Sequence, residues 1–246
     1  MKLRILIADD HEVVRRGLCT LLETHEGWEI CGEAKDGRQA VEMAKQLKPD
    51  VVILDIGMPN LNGLAATRQL AQQNSHQKII VLTITDSDQV IREALNAGAR
   101  GFVLKSDAAR DLVSAVEALQ HNRVFFTPRV NDMVLAGFLD KGGNGSSTQS
   151  LHEPKLTPRE REVIQLLAEG KSSKEVACLL NLSTKTAETH RSNIMRKLDF
   201  HSIRDLVVYA VKNDIIQVHL PAHATVADPT PAPTPMTTTP TEQSAA

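Results

Sequence analysis

The first 122 residues alternate between short apolar runs and longer amphipathic stretches. The apolar runs are rich in β-branched and aliphatic residues, which predicts buried strands at residues 3–8, 29–33, 51–54, 79–83 and 101–104. The stretches between them have helical spacing, around residues 13–22, 39–47, 64–70, 89–96 and 112–119. Five successive β–α units predict an α/β fold with a doubly wound parallel sheet that carries helices on both faces.

Residues at the predicted helix ends agree with this pattern. Asp36 and Asp107 precede amphipathic stretches and are predicted N-caps. Gly98 follows Ala97 at the end of another stretch, where glycine is a common C-cap.

The pattern divides the rest of the chain into three parts. One more helix is predicted at residues 130–139, and the Gly-, Ser- and Asn-rich run at 141–148 predicts a flexible linker. We therefore expect a first domain at residues 1–122, a helix and linker at 123–154, and a second domain at 155–216. The Pro-, Thr- and Ala-rich residues 217–246 are predicted to be a disordered tail.

The second domain shows helical periodicity only. Thr157, Pro158 and Glu160 form a predicted capping box with proline at the first helical position. Four helices are predicted, at residues 158–169, 173–180, 185–198 and 203–213, with a short turn at 181–183. Two helices joined by such a turn are typical of a helix-turn-helix, so we expect a small all-α four-helix domain.

Composition limits the classes of function. The 246 residues carry a net charge of −2, so any surface that binds nucleic acid must be a local basic patch. The three cysteines, Cys19, Cys31 and Cys178, fit no zinc spacing and predict buried thiols in a reducing compartment. Without a signal segment or a stretch long enough to span a bilayer, the sequence predicts a cytoplasmic protein with no membrane partner.

Three aspartates follow two of the predicted strands. Asp9 and Asp10 come directly after the first strand, and Asp55 comes directly after the third. Because ligand sites in such sheets lie beyond the carboxyl ends of the strands, we expect the three carboxylates to converge. Carboxylate oxygens suit Mg2+. A single acidic strand end could instead cap the next helix, and His11 is predicted to be a solvated surface residue rather than a ligand.

Two further residues extend this acidic group. Thr83 ends the fourth predicted strand, and Lys105 follows the fifth. A hydroxyl and an ammonium beside carboxylates are suited to hold the oxygens of a phosphoryl group in transfer. An aspartate can itself be the nucleophile and form an acyl phosphate.

Residues 1–122 resemble the receiver domain of two-component response regulators. The resemblance implies a flavodoxin-like five-stranded sheet in the order 2-1-3-4-5, and it rests on Asp9, Asp10, Asp55, Met58, Pro59, Gly63, Thr83 and on Lys105 in the run Phe102-Val103-Leu104-Lys105.

The resemblance also implies a role for each matching residue. Asp55 is the expected phospho-acceptor, and Mg2+ is expected on Asp10, on Asp9 mainly through water, on Asp55 and on the backbone carbonyl of Gly57. Lys105 is expected to neutralise a phosphoryl oxygen, while Thr83 and Phe102 are the expected switch residues. Pro59 and Gly63 are expected to shape the loop after Asp55.

The second domain resembles the LuxR-type DNA-binding domain of the NarL/FixJ class. The resemblance rests on the runs at residues 156–163, 170–177, 182–190 and 193–198. In the third helix Ala187, Ile194 and Leu198 form an apolar stripe, and polar residues occupy the opposite face. Glu188, Thr189 and Ser192 are predicted to read bases, and phosphate contacts are predicted for Lys185, Thr186, His190, Arg196 and Lys197.

Together the two resemblances imply a transcription factor regulated by phosphorylation, not an enzyme. Its expected partners are a cognate sensor histidine kinase, double-stranded DNA and, when phosphorylated, a second copy of the chain. A phosphotransfer enzyme of haloacid-dehalogenase type is the main alternative, but it needs an aspartate where this chain has Gly57. A phosphorylation-independent DNA-binding protein is a second alternative. A dinucleotide-binding enzyme is disfavoured because no Gly-x-Gly-x-x-Gly follows a strand.

Overall fold

The structure is a computed structural model, and it describes residues 2–85, 87–127, 130–131, 156–213 and 215–216. Most of the predicted helix at 130–139, the predicted linker at 141–148 and the predicted tail at 217–246 lie outside the described residues.

The N-terminal region is a five-stranded parallel sheet between two layers of helices. The strand order is β2-β1-β3-β4-β5, which confirms the predicted doubly wound fold. The strands are β1 Leu3–Ala8, β2 Trp28–Ala34, β3 Val51–Asp55, β4 Lys78–Thr83 and β5 Gly101–Leu104. The helices are α1 Glu12–Glu23, α2 Gly37–Leu47, α3 Gly63–Gln73, α4 Asp88–Ala97 and α5 Ala108–Gln120.

The strands place alternate residues in two separate cores. On β3, Val52 and Leu54 pack with residues of α2, α3 and α4 on one face of the sheet. Val51 and Ile53 face the other side, toward α1 and α5. All four side chains are fully buried. This explains the continuous apolar run, because a strand covered on both faces needs apolar residues at every position.

The predicted helix caps have different outcomes. The Asp36 side chain accepts a hydrogen bond from the backbone N–H of Gln39. Gly98 ends α4 with a φ of 103°, in the left-handed region that glycine adopts easily. Asp107 occupies the predicted N-cap position of α5 at the end of a 3-10 turn, but its side chain accepts no capping hydrogen bond; its carboxylate pairs with Arg110 at 3.2 Å.

The helical region packs around its own core. Its helices are α6 Pro158–Ala168, α7 Ser173–Leu179, α8 Thr184–Lys197 and α9 Ile203–Lys212. The predicted capping box is present, with Thr157 and Glu160 each accepting from the other's backbone N–H. Residues from all four helices, including Val163, Val176, Ile194 and Leu206, form one buried cluster.

One cysteine was predicted wrongly. Cys19 is buried and Cys31 is half-buried, but Cys178 is exposed. The buried face of the short helix α7 is formed by Val176 and Ala177. Cys178 is the next residue along the helix and lies on the exposed side. Among the residues that the structure describes, no helix is long and apolar enough to cross a membrane.

Candidate functional site

The sheet brings the predicted acidic residues to one edge. Ala8 is the register partner of Leu54, so Asp9 and Asp55 follow paired residues on neighbouring strands. Both aspartates are completely buried. One ligand atom from each of Asp9, Asp10, His11 and Asp55 lies within 4.8 Å of the others. The predicted convergence of the three carboxylates is therefore present in the fold.

Lys105 joins the two buried carboxylates. Its Nζ lies 2.8 Å from Oδ2 of Asp9 and 2.9 Å from Oδ2 of Asp55. The 3-10 turn that begins at Lys105 directly follows β5, which places its ammonium at the same sheet edge as the aspartates. A single ammonium is thus shared by two charges that would otherwise repel each other in a water-poor site.

The charges shift each other's ionisation. Burial raises the pKa of Asp55, and the nearby Asp9 carboxylate raises it further, against the opposing effects of Lys105 and the Gly57 amide. Burial lowers the pKa of Lys105, but attraction to Asp55 and Asp9 outweighs it, so this pKa lies above its ordinary value. One ammonium does not fully compensate the acidic group, and a further cation would favour the ionised form of Asp55.

The donor set fits a hard divalent cation. Both carboxylate oxygens of Asp55, Oδ2 of Asp9 and Oδ1 of Asp10 are buried. Oδ2 of Asp9 and Oδ2 of Asp55 share the Lys105 ammonium, and Oδ1 of Asp10 contacts the His11 ring. Oxygen ligands of this kind match the preference of Mg2+. His11 is partly as predicted: 40% of its side chain is exposed, but its Nδ1 lies 2.9 Å from Oδ1 of Asp10.

The two predicted switch residues are buried near the site. Leu82 is the register partner of Asp55, so the next residue, Thr83, lies at the same sheet edge. The Thr83 hydroxyl donates to the backbone oxygen of Thr85 at 3.0 Å, so in this structure it is engaged with its own loop. Phe102 is 1% exposed and belongs to the core on the α2–α4 face.

The loop after Asp55 approaches the aspartate closely. A Cβ at Gly63 would lie 2.0 Å from the backbone oxygen of Asp55, so only glycine fits there. The Gly63 N–H donates to the backbone oxygen of Ile56 at 3.0 Å, which closes the loop onto the end of β3. Pro59 lies exposed within the same loop.

Sequence reasoning missed Arg15. Its guanidinium is 6% exposed, donates to the backbone oxygen of Asp9 at 2.8 Å and pairs with Glu33 at 3.0 Å. It therefore holds the chain where β1 ends in the acidic group. A signal was available, because Arg15 occupies a position of the α1 stripe that also contains Leu18, Cys19 and Leu22.

The polar face of α8 is the candidate nucleic-acid interface. Ala187 and Ile194 are buried in the helical core, and Leu198 packs against it. The opposite face is open: the exposed residues include Lys185, Thr186, Glu188, Thr189, Ser192, Arg196 and Lys197, with His190 half-buried. Arg191, which the sequence reasoning did not include, is also exposed on this helix.

Some of these side chains already have partners. Lys197 Nζ lies 2.8 Å from the Glu160 carboxylate, which joins the end of α8 to the start of α6. The Thr189 hydroxyl donates to the backbone oxygen of Lys185 at 2.9 Å. Ser183 caps the helix by accepting from the Thr186 N–H at 3.0 Å. Helix α8 is therefore capped at its start and joined to α6 at its end.

Two family matches cover the two regions. Residues 5–117 match the family described as the response regulator receiver domain, and residues 154–210 match the luxR family of bacterial regulatory proteins. The transcriptional regulatory protein LiaR of Bacillus subtilis (strain 168) is 36% identical over 214 residues, which are 87% of this chain and 99% of LiaR. The response regulator protein VraR of Staphylococcus aureus (strain Mu3) is 33% identical over 217 residues, which are 88% of this chain and 100% of VraR.

Solved structures agree with these sequence matches. The RcsB response regulator of Salmonella typhimurium is 28% identical with a TM-score of 0.60, covering 86% of this chain and 98% of that one. A structure of an RcsB–DNA complex is 29% identical with a TM-score of 0.51, over 85% of this chain and 98% of that one. The chain belongs to the two-component response regulators that combine a receiver domain with a luxR-type regulatory domain.

Proposed function

We propose that Asp55 accepts a phosphoryl group from a sensor histidine kinase and that this modification controls the binding of the chain to double-stranded DNA. The observation that carries the proposal is the Lys105 ammonium, 2.8 Å from Asp9 and 2.9 Å from Asp55 at the carboxyl edge of the sheet. In this proposal the phosphoryl group ends on the chain's own Asp55 rather than on a separate substrate, so the chain is a regulator and not an enzyme. Its proposed location is the cytoplasm.

The chemistry assigned to Asp55 is a nucleophilic displacement. A carboxylate oxygen of Asp55 attacks phosphorus, the bond from phosphorus to the histidine nitrogen of the kinase breaks, and an acyl phosphate forms. Lys105 neutralises negative charge on the phosphoryl oxygens because its ammonium already lies beside the attacking carboxylate. Arg15 supports the site indirectly by fixing the backbone at Asp9.

Asp9, Asp10, Asp55 and the Gly57 carbonyl are the proposed ligands of Mg2+. When bound, Mg2+ supplies positive charge against the phosphoryl oxygens. The convergence of buried carboxylate oxygens, two of which share a single ammonium, supports this assignment. His11, paired with Asp10, lies next to the proposed ligands.

Thr83 and Phe102 are the proposed switch residues. The Thr83 hydroxyl would exchange its bond to the Thr85 backbone for a bond to a phosphoryl oxygen at the same sheet edge. Phe102 would follow it within the core. Phosphorylation shifts the equilibrium between two receiver conformations only as far as the phosphoryl group interacts more favourably with one of them than with the other.

The proposed output is DNA occupancy by a homodimer. The exposed polar face of α8 supports major-groove contacts, with base reading by Glu188, Thr189 and Ser192. Phosphate contacts are proposed for Lys185, Thr186, His190, Arg196 and Lys197. On α9 the side chains of Ile203 and Val208 are each 45% exposed, and Val13 of α1 is 85% exposed. We assign the contacts between two copies to α9 and to the α1–α5 surface, where a partner would bury these apolar side chains.

Phosphoryl labelling tests the proposal. Purified full-length chain is incubated with Mg2+ and a small phosphodonor such as acetyl phosphate, and the added mass is measured on the intact protein. Wild type should gain one phosphoryl group, and Asp55→Ala should gain none. Asp50→Ala is the matched control, because Asp50 directly precedes β3 and lies at the opposite end of that strand. Labelling of Asp55→Ala at the wild-type level would contradict the proposal.

A further inference from the structure

One face of α6 contacts the receiver domain. Arg161, Gln165 and Glu169 are spaced four residues apart, so they project from the same side of the helix and its C-cap. We call these three residues the docking face. Arg161 pairs with Glu93 of α4 at 2.6 Å, and Glu169 and Gln165 contact the loop of residues 58–62.

Gln165 is the buried centre of the docking face. Gln165 is only 1% exposed. Its Oε1 accepts from the backbone N–H of Asn62 at 3.0 Å. Its Nε2 donates to the backbone oxygen of Met58 at 3.0 Å and to the Glu169 carboxylate at 2.7 Å. Both amide hydrogens are therefore used, and a change that removes them would leave buried polar groups without partners.

The docking face holds the 58–62 loop at three backbone positions. Besides the two bonds from Gln165, both oxygens of the Glu169 carboxylate lie 3.2 Å from the backbone N of Asn60. Asn60 has a φ of 64°, a left-handed conformation that asparagine tolerates. Asn62 in turn caps α3 by accepting from the Ala65 N–H at 2.8 Å. Residues of the helical region thus hold this loop through its backbone.

The same loop is continuous with the phosphorylation site. Met58 directly follows Gly57. The Gly57 amide opposes the burial that raises the pKa of the Asp55 carboxylate, and the Gly57 carbonyl is a proposed Mg2+ ligand. At the other end, Gly63 packs against the Asp55 backbone so closely that no Cβ fits. The Met58 carbonyl that Gln165 binds and the Gly57 carbonyl lie in consecutive peptide units, which are joined at the Cα of Met58. Fixing the first unit therefore restricts the second to the rotations allowed by the φ and ψ angles of Met58.

Docking leaves the proposed output surfaces open. The hydrogen bonds and ion pairs between the two domains include those made by α6, by its C-cap Glu169 and by Asn213 after α9. The polar face of α8 remains exposed, as do Ile203 and Val208 of α9. The docked arrangement is therefore compatible with DNA contact, and its direct effect falls on the 58–62 loop.

We propose that Gln165 is a positioning residue for phosphorylation: from the DNA-binding domain it orders the 58–62 loop and with it the Gly57 carbonyl, so that docking favours Mg2+ binding and phosphoryl uptake at Asp55. The inference rests on the proposed function. Ordering a loop in advance removes part of the entropic cost of binding. Because linkage is reciprocal, Mg2+ and the phosphoryl group should also favour docking.

The test compares Gln165→Met with wild type in the full-length chain. Methionine keeps the length and helix propensity of glutamine but removes both hydrogen bonds to the loop. The dissociation constant for Mg2+ is measured by titration calorimetry, and the rate of labelling by acetyl phosphate is measured at saturating Mg2+. We expect Mg2+ binding to weaken by about fivefold in Gln165→Met. Gln72→Met, at an exposed position of α3, should bind Mg2+ like wild type.

A second variant separates positioning from a purely structural role. Arg161→Glu places a carboxylate against Glu93 and weakens docking without touching the loop. It should weaken Mg2+ binding in the same direction, and in both variants the amides of Asn60 and Asn62 should exchange hydrogen faster. Hydrogen exchange at the wild-type rate in the helices of the DNA-binding domain would show that both variants keep this domain folded, so that a weaker Mg2+ constant reports on the loop. Mg2+ binding within twofold of wild type in both variants would overturn the inference, whereas wild type that takes up no phosphoryl group would overturn the proposed function itself.

Discussion

The acidic site of the receiver and the polar face of α8 satisfy their charges in different ways. Asp9 and Asp55 are fully buried, and the chain supplies their counter-charge through Lys105 at 2.8 and 2.9 Å. On α8, side chains such as Lys185 and Glu188 are exposed to water. A buried charge needs a partner from the protein, whereas an exposed charge is solvated by water until a ligand binds. Geometry therefore assigns roles within the receiver site, but only candidates on the α8 face.

The first prediction removes the internal partner. Lys105→Met should slow labelling of Asp55 by roughly 10²- to 10³-fold, because the developing charge loses its fixed ammonium. The rate is measured by intact mass with acetyl phosphate and Mg2+. Lys78→Met is the control, since Lys78 lies at the start of β4, at the opposite edge of the sheet. A rate within threefold of wild type would show that Lys105 is not part of the transfer site.

The second prediction tests whether the two regions are separately stable. Ile194 is fully buried in the helical core, so Ile194→Ala should lower the free energy of unfolding of that domain by about 2–5 kcal/mol. Chemical denaturation, followed by hydrogen exchange in each domain, measures the change. Exchange in β1 and β3 should remain close to wild type. An equal loss of protection in the receiver strands would mean that the domains unfold as one unit.

The third prediction concerns the exposed face. Lys185→Ala should weaken DNA binding for all sequences alike and reduce the slope of log affinity against log salt by about 1, as expected for one lost phosphate contact. Affinity is measured by fluorescence anisotropy over a series of salt concentrations. Lys45→Ala on α2 of the receiver is the control. An unchanged salt slope in Lys185→Ala would remove this residue from the interface.

The smallest expected effect concerns the contact between the start of α6 and the end of α8. Glu160→Ala removes half of a capping box and the contact with Lys197, and should cost about 1 kcal/mol of unfolding free energy. Glu175→Ala, which removes only the equivalent half of the capping box of α7, should cost less. Equal losses in the two variants would show that the Lys197 contact contributes no stability.

The Glu160 contribution should also depend on pH. Burial tends to raise the pKa of Glu160, but the Lys197 and Thr157 contacts outweigh it and place this pKa below its ordinary value of 4.5. The unfolded state then binds the proton more readily, so the stabilisation is present above pH 4.5 and is lost as the pH falls through the lowered pKa. Denaturation of wild type and Glu160→Ala from neutral to acidic pH should show the two curves converging.

The strands and the acidic site were predictable because local patterns and topology act together. Continuous apolar runs identified strands covered on both faces, and polar residues at their ends marked the carboxyl edge of the sheet. Asp9, Asp55 and Lys105 then had to meet there. The strand order and the individual roles came from the resemblance to receiver domains, since apolar runs alone do not specify which strands are neighbours.

Contacts that depend on tertiary packing were not predictable in the same way. The position of Arg15 within an apolar stripe was a usable signal, but nothing local indicates that Gln165 reaches the 58–62 loop across more than a hundred residues of chain. Asp107 illustrates a second difficulty, because its carboxylate pairs with Arg110 instead of capping α5. Where a side chain has several available partners, the tertiary fold determines which one it binds, and the neighbouring sequence does not.

The central claim is that chemistry at Asp55 controls DNA occupancy. The most direct measurement captures fragments of genomic DNA on purified full-length wild type and Asp55→Ala, with and without acetyl phosphate and Mg2+, and sequences what is bound. Phosphodonor should increase wild-type occupancy at a defined set of sites and leave the occupancy of Asp55→Ala unchanged. Equal wild-type occupancy with and without phosphodonor, under conditions where Asp55 is shown to be labelled, would contradict the claim.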